Sequence, residues 1–220
     1  MSDIKFIMSG DWRQLDPVKD RAVFNYKDSL ALQELCDANR LELTKCRRSD
    51  DELFKASLSV MSLDTKNYGN KECETSLCWT NKKRIKVNEH WMKIKSEGLE
   101  KVCLPKLHYD SGSQDTIVYK GLPIIARINC RKNDIANNET FVVKKIKDTV
   151  ITISDEGFDK EVEKKDFMRL FYPAYCITTH KSQGTSIRVP FTIYEWKHFD
   201  EKLRYTALTR ATLKSHVNFA

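Results

Sequence analysis

The sequence predicts an α/β fold, in which a parallel sheet with flanking helices is interrupted by a small antiparallel β insert. At both ends of the chain, short apolar runs with strand character alternate with helical periodicities, as is typical of parallel sheets with crossover helices. The middle of the chain is rich in β residues that alternate with a period of two and are separated by turn sequences. With 220 residues, the chain can form one domain or two small ones.

In the first part of the chain, apolar runs and helical periodicities follow one another. The predicted strands are the short apolar runs Ile4–Met8, Leu41–Thr44 and Ser76–Trp79. The predicted helices begin at residues that can cap them, at Asp28 or Ser29 and at Ser49 or Asp50, or cover Lys82–Lys95. The side chains expected to face the core of these helices are Leu32, Leu35 and Cys36, then Phe54, Leu58 and Met61, then Val87, Trp91 and Ile94.

The middle segment predicts hairpins that could close into a barrel. Its expected strands are Ile117–Tyr119, Pro123–Ile128, Glu139–Lys147 and Val150–Ser154. Turns are expected at Asn137-Asn138 and Asp155-Glu156-Gly157, and Leu99–Gly112 is expected to be a linker. The α/β alternation then returns, with strand Tyr175–Thr178, a helix from His180, strand Phe191–Tyr194, helix Asp200–Arg210 and strand His216–Phe219.

Composition narrows the class of protein. Apolar residues make up 40% and charged residues 31%, as in soluble globular proteins. No run of about 18 apolar residues predicts a membrane span, and no leader predicts secretion. The seven cysteines are scattered and include no Cys-x-x-Cys pair, so no metal site or disulfide is expected. We therefore expect an intracellular protein of the cytoplasm or nucleus; the Lys-, Asn- and Ile-rich composition is typical of AT-rich genomes, such as those of many large DNA viruses.

The charge of the chain is positive. The net charge of +7 arises from 38 Lys and Arg residues against 31 Asp and Glu residues. Within Asn81–Lys95, basic residues far outnumber the single acidic residue, Glu89. A basic excess favours binding to a polyanion through phosphate contacts, but a solvated helix face would have the same composition.

The block GDWRQLDPV at Gly10–Val18 follows a predicted strand, where ligands of open α/β sheets bind. Gly10 permits a sharp turn. The amide of Gln14 can donate a hydrogen bond to a γ-phosphate and accept one from an attacking water. Trp12 can stack on a base or pack between two lobes. A surface turn after a core strand is the alternative interpretation of the block.

The block THKSQGTS at Thr179–Ser186 is expected to open a helix, whose first amides bind anions readily. The small hydroxyls of Thr179, Ser182 and Thr185 can bond phosphates. Gln183 and Gly184 can approach a nucleotide, Gly184 because it has no side chain. His180 as a catalytic imidazole is the alternative, but no partnered nucleophile is evident in the sequence.

Two further segments carry arginines. The block YTALTRAT at Tyr205–Thr212 is predicted to be helical and to present the guanidinium of Arg210 across a cleft. The planar fork of arginine suits the charge of a transferring phosphoryl group, although a helix-terminal cation would also complement the helix dipole. In the segment Leu43–Ser49, Arg48 or its neighbour Arg47 stands at a predicted strand end.

In this order, the three blocks resemble motifs III, V and VI of superfamily 1 DNA helicases, closest to the RecD-like and PIF family, and Leu43–Ser49 resembles motif IV. The resemblance implies a RecA-like lobe. Residues 1–27 would be the end of a first lobe, 28–112 and 173–220 the second lobe, and 113–172 the β insert. It also implies two groups of site residues. The nucleotide group is Gln14, Arg48, Gln183, Gly184 and Arg210, with Gln14 as the catalytic sensor and Arg210 as the arginine finger. The group contacting single-stranded DNA is Trp12, Thr179, His180, Ser182 and Thr185.

The resemblance also sets the expected activity. No Gly-x-x-x-x-Gly-Lys-(Ser/Thr) loop occurs in the sequence. We therefore expect the C-terminal part of an ATP-dependent, 5′-to-3′ DNA helicase that is inactive alone. ATP and Mg²⁺ would be held only in the complete motor, together with an N-terminal RecA-like lobe in cis or in trans. The alternatives are a non-catalytic module that binds single-stranded nucleic acid and a structural interaction domain, neither of which needs Gln14, Arg48, Gln183 and Arg210.

Overall fold

The parallel and antiparallel parts predicted from the sequence are separate sheets in the computed structural model, which describes residues 7–16, 28–36, 39, 41–155 and 157–220. The helices are α1 (Leu30–Leu35), α2 (Asp51–Leu58), α3 (Asn81–Lys95), α4 (Lys164–Leu170) and α5 (Glu201–Leu208). The strands are β1 (Thr75–Cys78), β2 (Lys101–Leu104), β3 (Thr116–Tyr119), β4 (Pro123–Ala126), β5 (Thr140–Ile146), β6 (Val150–Asp155), β7 (Phe158–Glu163), β8 (Phe171–Pro173), β9 (Cys176–Thr178), β10 (Phe191–Ile193) and β11 (Val217–Phe219).

A four-stranded parallel sheet has the order β11-β10-β1-β9. Strand β1 lies in its centre, with Ser76 opposite both Thr192 of β10 and Cys176 of β9. Every residue of β10 is buried, as expected for a strand covered on both faces. Helix α3 packs on β1 and β9, and α2 packs on α5. The apolar core beneath α2 and α5 includes Leu77 and Phe191, which are fully buried.

A five-stranded antiparallel sheet has the order β7-β6-β5-β4-β8, and β2 and β3 form a separate antiparallel pair. Burial alternates along β5, where Phe141 and Val143 are buried and Val142 is exposed, so one face of the sheet covers a core. A bulge interrupts the pairing of β5 and β6 between Val143 and Lys145. The sheet runs from residue 123 to residue 173, which confirms the antiparallel insert within the α/β chain.

The caps of three helices are formed by side chains that the sequence makes available. Asp50 accepts a hydrogen bond from the backbone N–H of Leu53 over 2.7 Å, and Asp200 accepts one from that of Leu203 over 2.8 Å. Thr80 caps α3 through the N–H of Lys83 at 3.2 Å. Helix α1 begins after Ser29 as predicted, but it has no buried residue and no side-chain cap.

Several predicted elements differ from the structure. Leu41–Thr44 is not a strand; Leu41 and Leu43 are 95% and 94% exposed, so no sheet neighbour covers this apolar run within the described residues. Of the predicted strand Ile4–Met8, Ile4–Phe6 lies outside the described residues. Ile7 and Met8 are exposed and irregular. The linker prediction for Leu99–Gly112 is wrong because β2 lies within it.

The second half of the chain contains further differences. No helix starts at His180; residues 179–184 form turns instead. The elements β7, α4 and β8 lie between the predicted strands and were not anticipated from the sequence. The helix faces were also partly misassigned: Leu58, Met61 and Ile94 are each about half exposed, at 47%, 58% and 47%. Met61 lies beyond the end of α2. Helix α2 buries Leu53 and Ser57 instead, and α3 buries Arg84 together with the predicted Val87.

None of the helices in the described residues is both long enough and apolar enough to span a bilayer. The seven cysteines are all free. Within the same residues, no group of three or more His, Cys, Asp or Glu side chains is arranged to hold a metal ion.

Candidate functional site

The first and third sequence blocks meet at Asp11. Its Oδ2 atom accepts a hydrogen bond from the Tyr205 hydroxyl at 2.9 Å and one from Gln14 Nε2 at 3.2 Å. Burial, and after it the hydrogen bond to Asp11, raises the pKa of Tyr205 to about 12. Gln14 is therefore turned toward Asp11 and lies beside helix α5.

A second contact holds the first block on the same helix. Lys202 Nζ lies 2.6 and 2.7 Å from the two carboxylate oxygens of Asp16. Leu15 packs against the apolar core beneath α5. The described part of the first block, residues 7–16, is thus attached to α5 by an ion pair, a hydrogen bond and an apolar contact. Trp12 in this segment is 49% exposed.

Arg210 joins the third block to the second. Its side chain is 1% exposed. Nη1 donates to the carbonyl oxygens of Ser182 at 3.3 Å and Thr185 at 3.1 Å, and Nε donates to the carbonyl oxygen of Thr206 at 2.9 Å. Nη2 donates to Thr209 Oγ1 at 3.2 Å. The sequence predicts that Arg210 presents its guanidinium group across an open cleft. In the structure the group is instead buried and bonded to carbonyl oxygens of the 179–185 segment and of α5.

Arg48 approaches Arg210. Arg48 is exposed, and its Nη1 donates to the carbonyl oxygen of Thr209 at 3.3 Å. Burial, and after it the positive charge of Arg48, lowers the pKa of Arg210 to about 10. In the part of the chain that the structure describes, the hydrogen bonds of both guanidinium groups go to uncharged oxygens. The negative charge of Asp11 acts on the pKa of Arg210 in the opposite direction, so the two neighbouring cations are compensated only in part and can still attract an anion.

The 179–185 segment is the turn after β9. The sequence predicts that its hydroxyl groups face a phosphate, but two of the three point into the protein. Thr179 and Ser182 are fully buried. Thr179 Oγ1 donates to the carbonyl oxygen of Cys78 at 3.2 Å, and Ser182 Oγ donates to that of Thr179 at 2.8 Å. Thr185 Oγ1 donates to the carbonyl oxygen of Ser182 at 2.7 Å. These hydroxyl groups donate to backbone carbonyl oxygens and so stabilise the turns of the segment. Such side-chain hydrogen bonds compete with those of a regular helix.

The outward side of this segment is formed by other residues. His180 and Gln183 are exposed. Gly184 has φ +88, and a Cβ atom added there would meet open space, so the left-handed backbone is what requires glycine. The predicted site residues of the second block thus divide into buried hydroxyls at 179 and 182, a half-buried one at 185, and exposed groups at 180, 183 and 184.

Lys181 was not singled out from the sequence. Its Nζ donates to Asn137 Oδ1 at 2.7 Å, to Asn138 Oδ1 at 2.6 Å and to the carbonyl oxygen of Ala126 at 3.1 Å. Asn137 and Asn138 belong to the connection between β4 and β5 of the antiparallel sheet, and Ala126 is the last residue of β4. The turn at Asn137-Asn138 was predicted, but no local pattern links it to a lysine more than 40 residues later in the chain.

No family model matches the chain. Its fold is similar to those of solved Pif1 helicase structures. The Pif1 helicase from Candida albicans has a TM-score of 0.70 and 15% sequence identity, over 96% of this chain and 62% of that one. Pif1 from Bacteroides in complex with ADP-AlF3 and ssDNA has a TM-score of 0.63 and 19% identity, over 96% and 60%. A structure of two coordinating Pif1 helicases at forked dsDNA has a TM-score of 0.64 and 18% identity, over 81% and 49%.

At these identities the likeness is one of fold, and it confirms the predicted RecA-like α/β architecture and the resemblance to Pif1-like helicases at that level. The chain spans about half to three fifths of the length of the helicase chains that it matches.

Proposed function

We propose that this chain is the C-terminal part of an ATP-dependent, 5′-to-3′ DNA helicase and supplies that motor's second RecA-like lobe. The observation that carries the proposal is the meeting of three blocks at α5. Asp11 joins Gln14 to Tyr205, and Arg210 joins α5 to the 179–185 segment. The domain bounds 1–27, 28–112, 113–172 and 173–220 are part of this proposal, as is an N-terminal lobe that acts in cis or in trans.

The nucleotide site would lie among Gln14, Arg48 and Arg210. Both arginines bond Thr209, and Asp11, which Gln14 contacts, acts electrostatically on Arg210. Bound ATP would supply a γ-phosphate whose negative charge Arg48 and Arg210 can neutralise and to which the amide of Gln14 can donate a hydrogen bond, and Mg²⁺ would take its protein ligands from the preceding lobe. The two guanidinium groups fit such an anion because both donate to uncharged oxygens, which an anion can replace. An arginine finger is worth about 10³–10⁵ in rate. Gln14 would release its hydrogen bond to Asp11 and contact the phosphate instead. Gln183 and Gly184 would line the same site.

The position of Arg210 supports a proposed link between a bound nucleotide and bound nucleic acid. To reach a phosphate, its Nη1 must release the carbonyl oxygens of Ser182 and Thr185. That release would free the 179–185 segment to change shape. We therefore propose that occupation of the nucleotide site alters the presentation of His180 and Gln183 to a DNA strand.

Single-stranded DNA would be bound by exposed groups. His180 can contact a phosphate, and the exposed indole of Trp12 can stack on a base, an interaction worth roughly 1–3 kcal/mol. Thr185 is half-buried and can share its hydroxyl with the strand. Thr179 and Ser182 would act by shaping the backbone, since their side chains are buried. The net charge of +7 supports binding to a polyanion.

The test uses the chain with its preceding lobe, joined to it or added in trans, and measures ATP hydrolysis stimulated by single-stranded DNA. Arg210→Ala and Arg210→Lys should abolish hydrolysis, while Arg131→Ala, which alters an exposed arginine of the antiparallel part, should leave hydrolysis unchanged. Circular dichroism of each variant establishes that it is folded. Retained hydrolysis in folded Arg210→Lys would contradict the proposal. So would ATP hydrolysis by the 220-residue chain alone.

The second candidate is a non-catalytic module that binds single-stranded nucleic acid. The observation in its favour is the burial of Arg210, whose bonds to Ser182 and Thr185 have a structural use without any nucleotide. The two functions differ in the response to nucleotide. A module would bind DNA with the same affinity whether or not ATP and the preceding lobe are present, whereas the motor would not.

A further inference from the structure

The ammonium group of Lys181 has three hydrogen-bond partners in the antiparallel part of the chain. They are Asn137 Oδ1, Asn138 Oδ1 and the carbonyl oxygen of Ala126, at 2.7, 2.6 and 3.1 Å. A lysine ammonium has three protons, so each proton has one acceptor. The group is thus fully used within the protein and has no proton left for an external ligand.

The surroundings of Lys181 are unusual for a lysine. The residue is half-buried, and all three acceptors are uncharged. Burial, and after it the positive charge of Arg127, lowers the pKa of Lys181. Arg127 is itself paired with Asp110. Burying a charged ammonium group is unfavourable unless hydrogen bonds compensate it. Here three hydrogen bonds to neutral oxygens, rather than an ion pair, hold Lys181 in place.

The acceptors are held firmly on their own side. The backbone N–H of Asn138, a residue with φ 71, donates to the carbonyl oxygen of Ala126 at 3.1 Å. The backbone N–H of Asn137 donates to Asn129 Oδ1 at 2.8 Å. Both amide side chains are therefore presented by a tight connection between β4 and β5, and a shift of that connection would move all the partners of Lys181 together.

The other side of the 179–185 segment is held by Arg210 through the carbonyl oxygens of Ser182 and Thr185. The segment therefore lies between two cationic side chains. Arg210 ties it to α5, and Lys181 ties it to the antiparallel sheet. Breaking either attachment would loosen the backbone that carries the exposed side chains of His180 and Gln183.

We propose that Lys181 is a positioning residue that fastens the 179–185 segment to the antiparallel sheet, so that nucleic acid bound at this segment and the placement of the sheet are coupled. The part of this inference that concerns nucleic acid rests on the proposed function. The attachment itself does not. Lys181 acts here through Asn137 and Asn138 and does not contact a phosphate.

The test compares three variants of the full 220-residue chain. Lys181→Met removes the donor. The double variant Asn137→Ala/Asn138→Gly removes two acceptors, leaves the charge and suits the left-handed backbone at 138. Lys144→Met is the matched control, because it removes an exposed lysine from β5 of the same sheet. Hydrogen–deuterium exchange is followed in residues 179–185, where the backbone N–H groups of Ser182 and Thr185 are hydrogen-bonded.

The expected result is exchange about tenfold faster in both Lys181→Met and the asparagine variant, since a net hydrogen bond contributes up to about 1.4 kcal/mol, or a factor of ten. The control should exchange like the unmodified chain. Combining Lys181→Met with the asparagine variant should add little, because both remove the same contact. Unchanged exchange in either variant would overturn the proposal.

Binding of a labelled oligo(dT) at several salt concentrations gives a second readout. If Lys181 positions the segment, both variants weaken binding several-fold and leave the salt slope unchanged. If Lys181 contacted a phosphate, Lys181→Met alone would weaken binding and lower the slope by about 0.7, and the proposal would fail. If the unmodified chain bound no DNA, the proposed function would fail, and the exchange measurement would still decide whether the attachment exists.

Discussion

The Tyr205 hydroxyl donates a hydrogen bond to Asp11 Oδ2 over 2.9 Å, and this contact joins segments 194 residues apart in the sequence. Because Gln14 Nε2 donates to the same oxygen, the contact also sets the direction of the candidate sensor glutamine. Ionisation of the Tyr205 hydroxyl would therefore remove a hydrogen bond that attaches the first block to α5.

Alkaline pH should release the first block from α5. The pKa of Tyr205 is raised from 10.0 to about 12, so its neutral form is favoured in the folded state. The stabilisation is fully present below pH 10 and is lost as pH rises toward 12, where a phenolate would face the Asp11 carboxylate. The fluorescence of Trp12 should change across this range.

Tyr205→Phe is the matching variant. It should remove the alkaline change in Trp12 fluorescence, while Tyr109→Phe, which alters an exposed tyrosine, should retain it. The same change in both variants would show that Tyr205 does not hold the first block. Because three other tryptophans emit, the comparison is repeated in a Trp12→Phe background, where the change should be absent.

Replacing Arg210 should destabilise the fold. Arg210→Ala leaves the carbonyl oxygens of Ser182, Thr185 and Thr206 without this donor. Loss of a buried charged donor and its packing should cost about 2–4 kcal/mol in the free energy of unfolding. Urea denaturation measures the loss. Arg131→Ala should change the free energy by less than about 0.5 kcal/mol, as usual for an exposed residue; an equal loss in both would contradict the buried position of Arg210.

Ser182 and His180 should affect DNA binding in different ways. Ser182→Ala removes the buried hydrogen bond to the carbonyl oxygen of Thr179 and should lower stability by about 1 kcal/mol, with weaker DNA binding as a consequence. His180→Ala alters an exposed group and should weaken binding without lowering stability. Denaturation and oligonucleotide titration of both variants separate the two effects. Full stability in Ser182→Ala would contradict the role of its hydroxyl in holding the segment.

Asp50 should be a strong determinant of stability near the candidate site. Its carboxylate accepts hydrogen bonds from the backbone N–H groups of Leu53 and Lys214, each at 2.7 Å. Asp50→Ala should cost about 1–2 kcal/mol, because it removes a helix cap and a contact to the end of the chain. Asp50→Asn should recover much of the loss, since it keeps an acceptor. Thermal unfolding gives both values, and no loss in Asp50→Ala would show that the cap is dispensable.

Local patterns predicted those elements that carry their own signal. A β-rich composition with period-two alternation in several places anticipated strands β3 to β6, and a capping side chain anticipated where α2 begins. The apolar run at Leu41–Thr44 predicted a strand wrongly. An apolar run forms a strand only where neighbouring strands pair with it and bury it, and Leu41 and Leu43 are exposed. The helix expected from His180 failed because hydroxyl-to-carbonyl bonds and Gly184 favour turns.

By itself, the sequence determined the α/β class, the antiparallel insert and the three blocks, because periodicity, capping and residue chemistry are local properties. Only the tertiary structure decided that Thr179 and Ser182 point inward, that Arg210 lies in its own lobe and that Lys181 reaches Asn137 and Asn138. The physical reason is that Thr179, Lys181 and Arg210 bind partners tens of residues away, where the path of the whole chain, and no local pattern, sets the distance. Ser182 bonds a carbonyl oxygen only three residues away, but its burial likewise depends on tertiary packing.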